Sequence, residues 1–357
     1  MRKDFSMKLL RLGLGCAVLL SVAACGGGET KPANSPASSA EPTNASGPSP
    51  VAGPPMKGAE RAASSSSADV TKGIDALKAG DYNGAKALFE VAIQNNPKQA
   101  DAHFYLGVVF EHQGNKLSAE KEYKEALANQ PDLVEAAANL AALYVEAKKN
   151  DEAIGVAKKA LEKNPRHAEL QLNYAAALAG KGDKDGSAKA FEEAIKLKPT
   201  DARFFLMYAH ELAEWKKTDE ALAKLKQAAK LGDADAAVLA EVGFELKALK
   251  EFKECIAVMD KAVALKDVAE LRVYRGQCRL GLKEKDAALA DFESAVKKEP
   301  NSAPAHYHFG GALADTGKLK EAIGEWEQVI KLQPTGPLAK GAEQKIAKAK
   351  EILAKKK

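Results

Sequence analysis

The hydrophobic and polar positions in the stretch Ala100–Leu133 follow the spacing of two amphipathic helices. Apolar and small residues recur three or four positions apart, first around Leu106 and then around Tyr123. The two runs are separated by Gly114 and Asn115, a pair of residues that favours a turn. The pattern therefore predicts two helices joined by a short turn, each burying its apolar side against the other.

The same pattern recurs along the chain at a nearly constant interval, and most copies end in a proline that interrupts the second helix. The predicted repeats begin near Ser66 and at Ala100, Val134, Ala168, Ala202, Ala236, Ala269 and Ala303. The interval before Ala269 is one residue shorter than the others, and the fifth and sixth repeats have Asp233 and Asp267 where the others have proline. A fixed period in this range predicts stacked helix pairs, each covering the apolar face of the next.

These residues resemble the tetratricopeptide repeat (TPR) family. Its pattern of Leu-Gly, an aromatic residue, Ala and Pro at set offsets is matched by Leu106, Gly107, Tyr123, Ala126 and Pro131. The resemblance covers about four fifths of the chain and is weakest between the fifth and sixth repeats. It implies an all-α fold, a right-handed α-solenoid of about eight helix pairs followed by a C-terminal capping helix.

The repeat array is predicted to span residues 69–336, and residues 337–357 are predicted to form the capping helix with a Lys-rich tail. A cap needs one apolar side for the last repeat and one polar side for water. The inward side of this helix is predicted to carry Leu338, Ile346, Ile352 and Leu353.

The first 24 residues carry basic side chains followed by the apolar run Leu12–Val22, which predicts a secretory signal peptide. The small residues that end at Ala24, just before Cys25, resemble the bacterial lipobox. That resemblance implies a lipoprotein in which Cys25 becomes the lipid-carrying N-terminus. Ordinary cleavage after Ala24 or after Ala23, with Cys25 incidental, is the alternative. The signal is also complete from Met7, so the start stays open between Met1 and Met7.

Residues 25–68 contain seven prolines among many Ser, Ala and Gly residues, and they are predicted to be a disordered tether. Gly26 follows the lipidation site, and by analogy with lipoproteins the absence of an Asp there favours the outer membrane. We therefore expect the protein to lie in the cell envelope, lipid-anchored through Cys25 to the outer membrane and facing the periplasm.

Composition narrows the function further. The chain has 357 residues, a net charge of +4 and 6% aromatic residues, without a basic stripe interleaved with aromatics, so we expect no nucleic-acid partner. His103 and His306 occupy positions that a large packing residue normally takes. No Ser-His-Asp, Cys-His or metal-ligand pattern is present, and we expect no enzymatic activity, no cofactor and no metal.

Cys255 and Cys278 fall on adjacent helices of neighbouring repeats. After export they could be joined by a disulfide, or they could be two small buried apolar residues. The second interpretation is favoured here, because Cys255 occupies a position that normally faces its own partner helix.

The family resemblance implies that a partner binds in the concave groove lined by the first helices. The predicted contact residues are Phe104, Val108, Glu111, His112, Asn139, Asn173, Arg203, His210, Phe244, Gln277 and Tyr307. The groove is mostly apolar with scattered polar groups, which suits a partner helix or an extended apolar segment. The alternative is that these side chains only pack between first helices.

One known TPR arrangement binds the carboxylate of a peptide C-terminus through Lys, Asn and Arg side chains on three repeats. Asn173 and Arg203 match it, but Ala138, Ala142 and Met207 do not, so this clamp is predicted to be absent.

Together these observations predict a non-enzymatic interaction scaffold that binds an envelope protein or peptide. An accessory regulator of a cell-wall enzyme, or of secretin or pilus assembly, is the alternative. A periplasmic ligand-binding protein is less favoured, because the groove has few aromatic residues and polar pairs.

Overall fold

The computed structural model describes residues 68–355, which form helices joined by short turns and contain no strand. The predicted signal peptide (1–24) and Cys25 lie outside the described residues. So does the predicted tether, apart from Ala68, which is the first residue of the first helix.

Seventeen helices follow one another along the described residues. They are α1 (Ala68–Lys78), α2 (Tyr82–Asn95), α3 (Ala100–His112), α4 (Lys116–Asn129), α5 (Val134–Glu146), α6 (Asn150–Lys163), α7 (Ala168–Lys181), α8 (Lys184–Leu197), α9 (Ala202–Glu214), α10 (Thr218–Leu231), α11 (Ala236–Ala248), α12 (Phe252–Leu265), α13 (Ala269–Gly281), α14 (Lys285–Lys298), α15 (Ala303–Asp315), α16 (Leu319–Leu332) and α17 (Pro337–Lys355).

These helices belong to two compact units, divided between Ser187 and Ala188 inside α8. In the N-terminal unit α1 packs on α2, α3 on α4 and α5 on α6, and each pair also contacts the next. In the C-terminal unit α9 packs on α10, α11 on α12, α13 on α14 and α15 on α16, and α17 covers α16. First helices also contact one another, as α11 does with α13 and α13 with α15.

The fold prediction is confirmed, because consecutive helices pack in pairs as in a TPR solenoid and α17 follows the last pair. The first helices begin at Ala100, Val134, Ala168, Ala202, Ala236, Ala269 and Ala303, where the sequence pattern placed the repeat starts. The structure therefore also reproduces the shortened interval before Ala269.

In four of the pairs, a glycine of the first helix lies directly against an aromatic ring of the second helix. A Cβ atom on Gly107 would lie 2.6 Å from Tyr123 Cε1, and Tyr123 is fully buried. Gly276 stands in the same relation to Phe292, again at 2.6 Å. The spaced small and large residues of the sequence thus interlock across these pairs.

Each helix pair turns through one residue in the left-handed conformation. These residues are Gly80, Gly114, Lys148 and Gly182 in the N-terminal unit and Lys216, Lys250, Lys283 and Gly317 in the C-terminal unit. The second repeat shows the hydrogen bonds of this turn, in which Asn115 N–H donates to the Phe110 carbonyl at 2.8 Å. Lysine at such a position is strained where glycine is not, so the C-terminal unit carries more of this strain.

The capping helix packs on α16 through small and branched side chains. Ala342, Ile346 and Ala349 are buried in a cluster with Trp326. The prediction that Ile352 faces inward is wrong, since this side chain is exposed. Helix α17 has 19 residues against the 14 of α16.

Cys255 of α12 and Cys278 of α13 form a disulfide, with their Cα atoms 6.2 Å apart. The favoured interpretation of two unbonded apolar residues is therefore wrong. Because α12 and α13 pack directly against each other across the boundary between two repeats, the Cys255 position faces the next repeat as well as its own partner helix. Both residues are fully buried.

Candidate functional site

Three of the predicted contact residues in the N-terminal unit are almost fully enclosed. Phe104 and Val108 are each 4% exposed, and Asn173 is 3% exposed. The Phe104 ring packs at 5.0 Å from the ring of Tyr105 and 6.0 Å from that of Tyr123. These side chains take part in the packing between helices, and a role for them in binding stays a prediction.

Glu111 and Asn139, two predicted contact residues on neighbouring first helices, are joined through a tyrosine of the second helix. The Tyr123 hydroxyl donates to Glu111 Oε2 at 2.5 Å, and Asn139 Nδ2 donates to the Tyr123 oxygen at 3.1 Å. We call these three residues the Glu111 cluster. Burial raises the pKa of Glu111 to about 7, and the hydrogen bond from Tyr123 only partly opposes this.

His112 and Asn173 each keep one buried polar atom without a hydrogen-bond partner within residues 68–355. The His112 ring stacks on Tyr82 at 4.7 Å, and burial lowers the pKa of His112, so the ring is neutral at pH 7. Asn173 Nδ2 donates to the Ala138 carbonyl at 2.8 Å, which leaves Oδ1 as the unsatisfied atom.

Two predicted contact residues in the C-terminal unit are held by acidic neighbours. Arg203 forms two hydrogen bonds with Asp201, from Nε to Oδ1 at 2.9 Å and from Nη2 to Oδ2 at 2.5 Å. His210 Nδ1 lies 2.9 Å from Glu245 Oε1. Burial lowers the pKa of His210, but the hydrogen bond and charge of Glu245 outweigh burial and the net pKa is raised.

Phe244 and Gln277, two further predicted residues, lie beside a lysine that the sequence did not single out. Lys247 Nζ donates to Gln277 Oε1. The same Nζ atom lies 5.1 Å from the centre of the Phe244 ring and 4.9 Å from that of Tyr274. Burial lowers the pKa of Lys247.

The contacts around Lys247 and Gln277 continue onto α15. Gln277 Nε2 lies 2.9 Å from His308 Nε2, and Tyr307 meets the His308 ring edge-on at 5.5 Å. Burial lowers the pKa of His308 to about 4, with Lys247 and Lys345 adding to the effect. We call Phe244, Lys247, Tyr274, Gln277 and His308 the Lys247 cluster.

The structure thus brings together three predicted residues: Phe244, Gln277 and, through contact with His308, Tyr307. It also places Lys247 and Lys345 beside them, and neither lysine was predicted from the sequence. The sequence did contain an indication that Lys247 belongs to this surface. It occupies the same place relative to the start of its first helix, Ala236, as Glu111 does relative to Ala100.

His103 and His306 are buried, in agreement with their predicted packing role, but each is also fully hydrogen-bonded. His103 Nδ1 pairs with Glu122 at 2.7 Å and Nε2 with the Pro97 carbonyl at 3.0 Å. His306 repeats this arrangement with Glu325 at 2.6 Å and the carbonyl of Pro300 at 2.8 Å. The hydrogen bond to Glu122 raises the pKa of His103, although burial opposes it.

Within residues 68–355, no group of three or more His, Cys, Asp or Glu side chains is arranged to hold a metal ion. Over the same residues, no helix is both long enough and apolar enough to cross a membrane.

Paired helices at a constant interval define a helical repeat protein. The family model described as "Tetratricopeptide repeat" matches residues 70–134, 138–202 and 275–337, which together exceed half of the chain. The chain therefore belongs to the tetratricopeptide repeat family, as the sequence pattern predicted. Proteins with these repeats commonly mediate protein–protein interactions, and the fold is generally a non-catalytic scaffold.

Solved structures with a similar fold include yeast Tom70, with a TM-score of 0.55 and 17% identity over 82% of this chain and 65% of Tom70. The chain thus spans slightly less than two thirds of that structure. A tetratricopeptide repeat protein from Parabacteroides merdae matches with a TM-score of 0.51 and 20% identity, over 69% of this chain and 97% of the other. At these identities the likeness shows the fold alone. No curated protein sequence matches the chain significantly.

The family model leaves out the stretch that contains α9 to α12, where the sequence resemblance is weakest. These helices nevertheless form two regular pairs. The Lys247 cluster begins in this divergent stretch, on α11.

Proposed function

We propose that the chain is a non-enzymatic scaffold that is anchored to the bacterial envelope through Cys25 and binds a segment of another envelope protein. The surface that receives the segment is the one on which side chains of successive first helices meet. The observation that carries this proposal is the Lys247 cluster. It joins α11, α13 and α15, and its side chains are only partly buried.

The composition of that surface supports a protein partner. Aromatic residues are enriched at the energetically important centres of protein interfaces, where one side of the ring is packed and the other is covered by the partner. Phe244, Tyr274 and Tyr307 are each held by packing in the free protein while part of their surface stays accessible. A surface that is already ordered loses little side-chain entropy when a partner binds.

The anchoring part of the proposal rests on sequence. The basic and apolar leader, the small residues before Cys25 and the Pro- and Ser-rich stretch after it form the order expected of a lipoprotein. More than one acyl chain on Cys25 would hold the protein at the membrane, since a single chain gives only marginal binding.

The test compares full-length wild-type protein with Cys25→Ser, using Cys16→Ser as the matched control within the same leader. After cell fractionation, the wild type and Cys16→Ser are expected in the outer-membrane fraction and Cys25→Ser in the soluble fraction. Affinity capture on the wild type is expected to recover an envelope protein, and Phe244→Ala is expected to reduce that recovery.

A soluble wild type would contradict the lipid anchor. Recovery that Phe244→Ala leaves unchanged would contradict the assignment of the binding surface.

A further inference from the structure

Lys247 is a partly buried cation whose partners are all neutral. Its ammonium group bonds to the Gln277 amide and lies against the rings of Phe244 and Tyr274. Within residues 68–355, no carboxylate lies within ion-pair distance of this Nζ atom. Cations removed from water are normally paired, because their desolvation costs several kcal/mol. An unpaired one beside an accessible surface therefore points to a negative group supplied from outside.

Because of the direction of the hydrogen bonds next to Lys247, the polar groups of the cluster that still lack a partner are donors. Gln277 Oε1 accepts from Lys247, so its NH₂ group faces His308 and donates to Nε2. The neutral His308 ring then carries its proton on Nδ1, an assignment that follows from the network. That N–H, the remaining Lys247 N–H bonds and the Tyr274 hydroxyl have no acceptor within the described residues.

The charges around the cluster favour a negative ligand on the side of His308. Both Lys247 and Lys345 act on this ring, and both lower its pKa. Burial raises the pKa of Tyr274 to about 12, with smaller contributions from Glu270 and Glu241, so its hydroxyl stays protonated and can donate. The acidic groups therefore act on Tyr274, while the positive charges flank His308.

We propose that Lys247 and His308, aligned by Gln277, receive the side-chain carboxylate of an Asp or Glu in the partner segment. This inference rests on the proposed function and specifies its partner. The rings of Phe244 and Tyr307 beside the donors accommodate apolar or aromatic neighbours of that acidic residue. A side chain is the source rather than a chain terminus, because α9 and α17 flank the three helices that carry the cluster within this unit, and a bound segment continues on both sides.

The experiment selects binders from a library of random peptides against immobilised, full-length protein in detergent. The wild type is expected to enrich peptides with an Asp or Glu next to an apolar or aromatic residue. A selected peptide remade with Gln in place of Glu, or Asn in place of Asp, is expected to bind about tenfold or more weakly, the size expected for a charged hydrogen bond.

Two variants attribute this preference to the cluster. Lys247→Met keeps the apolar stem and removes the charge, and it is expected to bind the acidic and amide peptides equally. Gln277→Glu supplies an internal carboxylate to Lys247 and is expected to lose the preference as well. Lys253→Met, which removes an exposed lysine of the same unit, is the matched control and is expected to keep it. Circular dichroism verifies that each variant is folded.

The outcomes separate the two proposals. Enrichment of no peptide over an empty surface would contradict the proposed function itself. Enrichment without an acidic preference, or a preference that Lys247→Met retains, would contradict only the carboxylate site. Loss of binding when the peptide C-terminus is amidated would show that a chain terminus, and not a side chain, is the ligand.

Discussion

Glu111 in the N-terminal unit and Lys247 in the C-terminal unit occupy equivalent places in their repeats, yet carry opposite charges. Burial favours the neutral form of each group. It raises the pKa of Glu111 to about 7 and lowers the pKa of Lys247 below its usual range. Their neighbours differ as well: a tyrosine and an asparagine surround the carboxyl, and a glutamine and two aromatic rings surround the ammonium group.

The comparison shows how one backbone pattern supports different surfaces. The repeat fixes where a side chain emerges, because helix starts and turns recur at the same positions. Equivalent positions in the other repeats hold Val145, Ala179, Ala213, Leu280 and Ala314, none of which carries a charge. At this position a charged side chain therefore occurs in only two of these seven repeats, one in each unit and with opposite sign.

The largest expected difference between the units concerns the disulfide, which within residues 68–355 occurs only in the C-terminal unit. Replacing both Cys255 and Cys278 by Ala should lower the free energy of unfolding by about 3 kcal/mol, because a cross-link across 23 residues restricts the unfolded chain. Urea unfolding measures the total loss. Hydrogen exchange should assign that loss to the C-terminal unit.

The double variant should not respond to a reductant, whereas the wild type should lose stability. A wild type whose unfolding is the same with and without reductant would contradict the difference between the units.

The second prediction concerns pH. The folded-state pKa of Glu111 is raised from 4.5 to about 7, so between these values the folded protein binds more protons than the unfolded chain. Stability contributed by this group is therefore lost as pH rises from about 4.5 to 7. Glu111→Gln should remove this slope and raise the free energy of unfolding above pH 7 by about 1–2 kcal/mol.

Denaturant unfolding across this pH range gives the measurement, and Glu125→Gln on the exposed side of α4 is the control. An unchanged slope in Glu111→Gln would show that Glu111 ionises in the folded protein as it does in water.

The third prediction is that Lys247 makes the free energy of unfolding change with pH in the opposite direction. Burial lowers its folded-state pKa below the value of 10.5, so the unfolded chain binds more protons and stability rises as pH approaches 10.5. Lys247→Met should remove that rise, with a net change at pH 7 of about 1 kcal/mol or less, since lost cation–π contacts oppose the relief of desolvation. Lys253→Met should keep the wild-type slope, and a rise that persists in Lys247→Met would assign it to another group.

The smallest expected effect concerns the turns, where lysine holds the left-handed conformation at three of four positions in the C-terminal unit. Lys216→Gly should stabilise the protein by about 0.5–1 kcal/mol, because glycine adopts this conformation without strain. Gly114→Ala, at the equivalent turn of the N-terminal unit, should destabilise it by about 1 kcal/mol. Thermal unfolding measures both changes, and effects of equal sign would contradict the turn comparison.

The repeat positions predicted many residues of the candidate surface, but not all of the residues that form the two clusters. Glu111, Asn139, Phe244 and Gln277 were identified from their repeat positions, and each takes part in a cluster that joins helices. The bridging Tyr123 was predicted only to pack, because a repeat pattern shows that a large residue is needed without showing which partners its hydroxyl reaches. Lys247 was missed, since an isolated lysine on a helix is usually a solvated one.

The sequence by itself determined the helix pairs, because apolar periodicity, turn residues and a constant interval are local properties that survive even where α9 to α12 depart from the family pattern. Only the tertiary structure decided which side chains meet. The Cys255–Cys278 bond and the contact of Lys247 with Gln277 join residues 23 and 30 positions apart. Such contacts depend on the angle and distance at which neighbouring repeats pack, and the periodicity of the sequence specifies neither.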